Sequence, residues 1–325
     1  MDRFINKRVI ANGSFGKIVC ATDTINNIKV VLKILTLNGL DTKLSSELKA
    51  EILVSKMLTH KNIVKYIDTL KNDKYLVLVY EYCNNGTLTN LMKQLKKETD
   101  YQVKEEKIKS IMLQLKNALN YLYDNTILHR DLKPDNILFN MYDNNEFVLK
   151  LADFGFSRIF NKNAVTDIGH APLIQTYCGT PIYMAPELLI QNTYNVKADL
   201  WSTGIILYEM MYGMLPYKNI RTFNDLKTII ENKKIYIDEQ HYSMECVNLL
   251  KSLLEYDPVK RITWEDFFKH NWFTTPIGIS SELFFTANSE IISNKSSIIE
   301  QKYDIVTHNI KCYDVTESCV MIDFF

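Results

Sequence analysis

Along the first eighty residues the apolar positions fall into short runs. Val9-Ile10 and Lys17-Ile18-Val19-Cys20 flank a turn, Ile28 to Leu35 is rich in β-branched residues, and Tyr75-Leu76-Val77-Leu78-Val79-Tyr80 is one continuous apolar stretch. Runs of this length, bounded by polar residues, predict strands. One segment between them has a different period. Leu44, Leu48, Glu51, Ile52, Ser55 and Leu58 recur at three- and four-residue spacing, which predicts a helix. From about Thr87 onward the helical period takes over, and Ile108, Ile111, Met112, Leu115, Ala118, Leu119 and Leu122 form a stripe of the kind a helix buries along one side. The apolar stretch from Gly204 to Leu215, interrupted by Glu209, reads as a buried core helix and falls short of the ~20 residues that cross a bilayer. A strand-rich part thus precedes a helix-rich part, and residues 81–86 join them.

Two regions carry no clean period. Residues 161–175 are polar, with a glycine and a proline, and read as a loop. Residues 274–325 mix serine, isoleucine and asparagine, end in Val320-Met321-Ile322-Asp323-Phe324-Phe325, and form an extension without an assigned role.

At 325 residues the chain exceeds the length at which a single core stops growing, roughly 250–300 residues, so two lobes with separate cores fit. Lys+Arg and Asp+Glu both number 38, which gives no overall basic footprint for nucleic acid or an anionic membrane. The six cysteines (Cys20, Cys83, Cys178, Cys246, Cys312 and Cys319) are scattered without metal-ligand spacing and read as reduced thiols. The start, Met1-Asp2-Arg3-Phe4, carries no apolar signal segment. The expectation is an intracellular, cytoplasmic protein.

The chemistry concentrates in His129-Arg130-Asp131-Leu132-Lys133-Pro134-Asp135-Asn136, followed by Asp153-Phe154-Gly155. Phosphoryl transfer requires a carboxylate at the attacking hydroxyl and hard oxygen ligands for the metal ions on a triphosphate. Asp131 offers the first, and Asn136 and Asp153 offer oxygens that suit Mg²⁺. Upstream, Ile10-Ala11-Asn12-Gly13-Ser14-Phe15-Gly16-Lys17-Ile18 places glycines between two strands. Such a turn lets backbone N–H groups approach phosphate oxygens, although a plain hairpin reads the same way. Lys33 lies inside the apolar strand Val30-Val31-Leu32-Lys33. A buried ammonium there either snorkels to the surface or serves an anionic partner. Glu51 on the following helix is its expected counter-ion, with Glu47 as the fallback.

Together these motifs resemble the eukaryotic protein Ser/Thr kinase family over about residues 4–273. The resemblance implies an α+β, bilobal fold: a small antiparallel β-sheet lobe with one regulatory helix (about 4–80), a linker (81–86) and a larger, mainly α-helical lobe (87–273). It also implies ATP and Mg²⁺ as cofactors. Lys33 and Glu51 would form an ion pair at the α- and β-phosphates, Asp131 would accept the substrate proton, Lys133 would sit near the γ-phosphate, and Asn136 and Asp153 would hold the metal. Adenine would contact the backbones of Glu81 and Cys83 between walls of Ile10, Ile18, Val31 and Leu138, with Tyr80 as gatekeeper. Asp-Leu-Lys-Pro is the form found in Ser/Thr kinases. Gly179-Thr180-Pro181 through Ala185-Pro186-Glu187 resembles the end of an activation segment, Glu187 and Arg261 its supporting ion pair, and Asp199-Leu200-Trp201-Ser202 a further landmark. Val79 to Asn84, Leu151 to Arg158 and Cys178 to Met184 are similar to the autophagy-initiating kinases.

The implied partners are a protein substrate with a Ser or Thr acceptor and an activating kinase or partner protein, with no nucleic acid and no membrane span. Arg130 resembles the arginine that grips a phosphorylated activation loop, with Thr176 the best acceptor ahead of Thr166 and Tyr177. Asp135 would favour a basic residue before the target hydroxyl.

Three positions depart from the family pattern. Ala11 replaces the first loop glycine, Val31 the usual alanine over adenine, and Ser55 the apolar residue that stacks on Phe154. The serine is expected to leave a gap, a loosely held helix and low basal activity. The competing reading is a pseudokinase scaffold, but Lys33, Asp131 and Asp153 are all present.

Overall fold

The computed structural model describes residues 3–13, 16–37, 42–143, 146–160, 181–191, 193–217, 220, 222–232 and 235–275, with the backbone alone at 12–13, 42–48, 50 and 232. Ser14, Phe15, Thr166, Thr176, Tyr177, Thr180, the Glu47 side chain and residues 276–325 lie outside that description. The chain divides into two compact units, which among the described residues are 3–58 with 64–82, and 59–63 with 83–275.

The first unit is an antiparallel sheet of β1 (Phe4–Gly13), β2 (Gly16–Asp23), β3 (Ile28–Thr36), β4 (Tyr66–Lys71) and β5 (Tyr75–Glu81), in the order β1-β2-β3-β5-β4. Alternation along the strands sends Phe4, Val19, Ala21, Val30, Leu32, Leu70, Val77 and Val79 into one core. Phe4 and Leu70 come from the two edge strands, so the sheet curls until both edges feed the same core. Arg3 fastens the curl, pairing with Asp23 at 3.1 Å and with Asp68 at 2.5 Å. On the opposite face Leu35, Leu76 and Leu78 meet Ile52 of α1 (Thr42–Met57), together with Tyr80. The sequence reading has no counterpart for β4. A register shift between Tyr66 and Asp68 interrupts its alternation, as a bulge does, and hides the strand from a period-two count.

The second unit is mainly helical. Its helices are α2 (Leu88–Leu95), α3 (Tyr101–Asp124), α4 (Pro186–Gln191), α5 (Ala198–Tyr212), α6 (Phe223–Asn232), α7 (Met244–Leu253), α8 (Trp264–Phe268) and α9 (Asn271–Thr274). Asp100 caps α3 by accepting from the N–H groups of Gln102 and Val103, and the apolar stripe from Ile108 to Leu122 is buried as expected. Almost every side chain of α5 is buried, and Gly213, with φ of 66°, ends it in the left-handed conformation. Short strands also occur in this unit: β6 (Ile127–Leu128), β7 (Ile137–Met141), β8 (Phe147–Leu151) and β9 (Arg158–Ile159). β6 pairs with β9, and β7 with β8. These four short strands sit within the mainly α-helical part expected after Thr87. The α+β expectation itself is borne out. Among the described residues no helix is long and apolar enough to cross a membrane.

Candidate active site

The loop between β6 and β7 folds around Asp131. Lys133 Nζ lies 2.6 Å from Asp131 Oδ2, and Asn136 Nδ2 donates to the same oxygen at 2.9 Å and to the Asp131 carbonyl at 2.8 Å. The two donors fix the carboxylate and leave Asn136 Oδ1 as the end of that amide suited to a cation. A 3₁₀ turn at Pro134–Asn136, begun by a proline, carries the asparagine back toward Asp131.

His129 is fully buried and joins this loop to the Asp153 segment. Its Nδ1 accepts from the Asp131 N–H at 3.3 Å, which leaves Nε2 to donate to the Ala152 carbonyl at 3.0 Å. The Ala152 N–H in turn donates to the Asn136 carbonyl at 2.9 Å. The residue before Asp153 is therefore held by the 129–136 loop through both its N–H and its carbonyl. Phe154 is buried with its ring edge-on to His129, 5.2 Å between centroids.

Two backbone positions here are strained. Arg130 has φ of 68° and Asp153 of 64°, left-handed values that cost a non-glycine residue about 1–3 kcal/mol. Asp199, at the start of α5, supports the first. Its carboxylate accepts from the N–H of His129 at 2.7 Å and of Arg130 at 2.9 Å, and from the Tyr194 hydroxyl at 3.1 Å. The sequence marked Asp199 as a landmark without a role, because the backbone N–H groups it holds are 70 and 69 residues away. The Arg130 guanidinium stacks over the Tyr194 ring at 4.1 Å, burial works against its charge, and its Nε has no hydrogen-bond partner among the described residues. Arg130, Asp131, Lys133, Tyr183 and Met184 share one small depression.

Two acidic groups complete the surroundings. Asp135 accepts from Thr89 Oγ1 at 2.7 Å. Glu209 accepts from the Tyr183 hydroxyl at 2.7 Å, and burial, joined by the charge of Asp135, raises its carboxyl. Further off, Arg261 and Glu187 form a buried two-point ion pair at 2.8 and 2.9 Å.

In the sheet unit Lys33 Nζ lies 2.5 Å from Glu51 Oε1, both side chains largely buried. The expected pairing is present. Lys33 stands opposite Ile18 on β2 and Leu78 on β5, while Val31 stands opposite Tyr80, so these residues share one face of the sheet. Ala11 pairs with Ile18, Asn12 with Lys17 and Gly13 with Gly16 at the mouth of the β1–β2 turn, and Ile10 is exposed. Gly16 is required by close approach: a Cβ there would meet the Ile34 carbonyl oxygen at 1.9 Å. Glu81 ends β5, and both its N–H and its carboxylate bond the Lys65 backbone, at 3.0 and 2.7 Å. In the helical unit Cys83 opens the segment 83–86, which is tied to β7 by Asn85 N–H to Phe139 O and by Phe139 N–H to Gly86 O. Leu138 forms an isolated bridge with Thr87. The described cysteines, Cys20, Cys83 and Cys246, form no disulfide.

The donor set fits a hard divalent cation shared with a phosphate ligand. Among the described residues no cluster of three or more His, Cys, Asp or Glu side chains could hold a metal alone. One amide oxygen and one carboxylate, Asn136 and Asp153, suit Mg²⁺, which keeps most of its shell for water and phosphate oxygens.

A five-stranded antiparallel sheet with one helix, a mainly helical unit, and a loop that joins Asp131, Lys133 and Asn136 to the Asp153 segment are the parts of a protein kinase domain. The chain belongs to that family: the protein kinase domain profile matches residues 4–273. Its relatives are serine/threonine-protein kinases. The chain is 39% identical over 277 residues to atg1 of Dictyostelium discoideum, which spans 83% of this chain and 39% of that protein. It is 36% identical over 265 residues to ATG1c of Arabidopsis thaliana (81% of this chain, 34% of the relative) and 31% identical over 309 residues to TIO of the same plant (95% and 22%). The matches to Atg1 kinases bear out the subfamily resemblance read from the sequence. The matched regions cover well under half the length of these three relatives.

Proposed function

We propose that this protein transfers the γ-phosphate of ATP to Ser or Thr hydroxyls of protein substrates in a Mg²⁺-dependent reaction, with residues 4–273 as the catalytic domain. The observation that carries the reading is the pair of donors on one oxygen, Lys133 at 2.6 Å and Asn136 at 2.9 Å from Asp131 Oδ2. They orient the carboxylate, and Asp131 accepts the proton of the attacking hydroxyl. Lys133 then stands beside the transferring phosphate and offsets its charge. Lys33, held by Glu51, takes the α- and β-phosphates. The turn from Ile10 to Ile18, including Ala11, Asn12, Gly13, Ser14, Phe15, Gly16 and Lys17, covers them. Val31, Leu138 and the backbones of Glu81 and Cys83 receive the base. Asn136 and Asp153 would hold the metal, which supplies positive charge that stabilises the triphosphate. Arg130 would receive a phosphate on Thr176, placed there by an activating kinase.

Incubation with radiolabelled ATP and a degenerate peptide array tests this reading. Label on Ser- and Thr-centred peptides that requires Mg²⁺ is the expected result. Label on Tyr-centred peptides alone, or none with any acceptor, would contradict it.

A further inference from the structure

Ser55 Oγ and Tyr80 Oη share a hydrogen bond of 3.2 Å. Ser55 lies one helical turn beyond Glu51, so the two side chains leave the same face of α1. Tyr80 stands opposite Val31, and Leu78 opposite Lys33, in the β3–β5 register. Two polar contacts on consecutive helical turns, Glu51–Lys33 and Ser55–Tyr80, therefore join one helix face to one sheet face. Ile52, Leu76 and Leu78 pack on that same face. The Tyr80 ring is itself braced edge-on by Tyr66, 6.0 Å between centroids.

The sequence led us to expect a gap at Ser55 and a loose helix. The hydroxyl has a partner, and Ser55 is only 4% exposed, so losing that partner would strand a buried polar group. We propose that the Ser55–Tyr80 bond is a second tether of α1, which makes Ser55 a positioning residue that holds Glu51 on Lys33. The catalytic half of this proposal rests on the reading of Lys33 and Glu51 given above. Tyr80 gains a role beyond lining the adenine site: its hydroxyl helps set where the helix sits. The polar pair replaces the apolar contact expected at this position of the helix.

Two measurements on the full chain test the tether and its consequence separately. Hydrogen exchange of the amides of residues 51–57 is compared in wild type, Ser55→Ala, Ser55→Thr, Tyr80→Phe and the Ser55→Ala/Tyr80→Phe double variant. Each single deletion is expected to speed exchange about tenfold, the double variant to be no faster than the faster single, and the threonine to stay near wild type. Unchanged exchange in Ser55→Ala would overturn the tether. Peptide phosphorylation is then measured for Ser55→Ala in the wild-type and Glu51→Gln backgrounds. A loss of about tenfold in kcat/KM in the first and none in the second is expected, since Ser55 acts through Glu51. An equal loss in both backgrounds would overturn the positioning role. Full activity of Glu51→Gln itself would instead overturn the reading of the Lys33–Glu51 pair, and with it the catalytic half, while the exchange rates still decide the tether.

Discussion

Arg261 meets both carboxylate oxygens of Glu187, at 2.8 and 2.9 Å, where the two side chains are 0% and 3% exposed. The guanidinium also donates to the backbone carbonyls of Glu255 and Lys197, at 2.9 and 3.1 Å. This pair anchors α4 to the loop before α8. Removing one member strands a buried charge, which costs about 3–5 kcal/mol. Arg261→Ala is therefore expected to lower the thermal midpoint by roughly 10 °C in a scanning calorimeter. A Glu187→Leu/Arg261→Met double variant should recover most of that loss.

Asp199 supports the strained backbone at Arg130, next to Asp131. Asp199→Ala takes the acceptor from the buried N–H groups of His129 and Arg130, and a displacement of about 1 Å at Asp131 suffices for a loss of about 10²-fold. Peptide phosphorylation is expected to fall by at least that factor while far-ultraviolet circular dichroism stays near wild type. Asp199→Asn keeps one acceptor oxygen and should fall between the two.

The Arg3–Asp23 clamp sets an acid limit on the sheet unit. Burial by itself raises the Asp23 carboxyl, but hydrogen bonds from Arg3, the Ile25 N–H and Asn26, with the charge of Arg3, carry it below its ordinary value. A carboxyl depressed on folding adds stability above its unfolded value, near 3.9, and loses it as pH falls through the lower folded value. Wild type should thus unfold at higher urea than Asp23→Asn at pH 7, and the gap should close below about pH 4. A gap that persists unchanged at pH 2 would contradict the clamp.

How much of this was legible in the sequence depends on separation along the chain. His129 to Asn136 and Asp153-Phe154-Gly155 are contiguous strings, so the residue types and their order pointed to the candidate site directly. The helix bearing Glu51 could be read from its period, and Glu51 is the residue that Lys33 meets. Asp199 could not be given a role, because nothing local marks a carboxylate whose backbone partners, the N–H groups of His129 and Arg130, lie some seventy residues away. The partner of Ser55 was hidden for the same reason. Taken alone Ser55 is a small residue where a large one is expected, and only the β3–β5 register brings the Tyr80 hydroxyl to it. β4 escaped because a bulge breaks the alternation on which strand reading depends.

In the proposed reaction Asp131 takes the proton from the substrate hydroxyl while other groups bind the nucleotide. Single-turnover phosphorylation of a Ser peptide, measured alongside Mg·ATP affinity for wild type and Asp131→Asn, tests it most directly. The expected result is a transfer rate lower by about 10²–10⁴-fold, the range of general base catalysis, with nucleotide affinity changed less than about threefold. An Asp131→Asn protein that transfers phosphate at the wild-type rate would contradict the account.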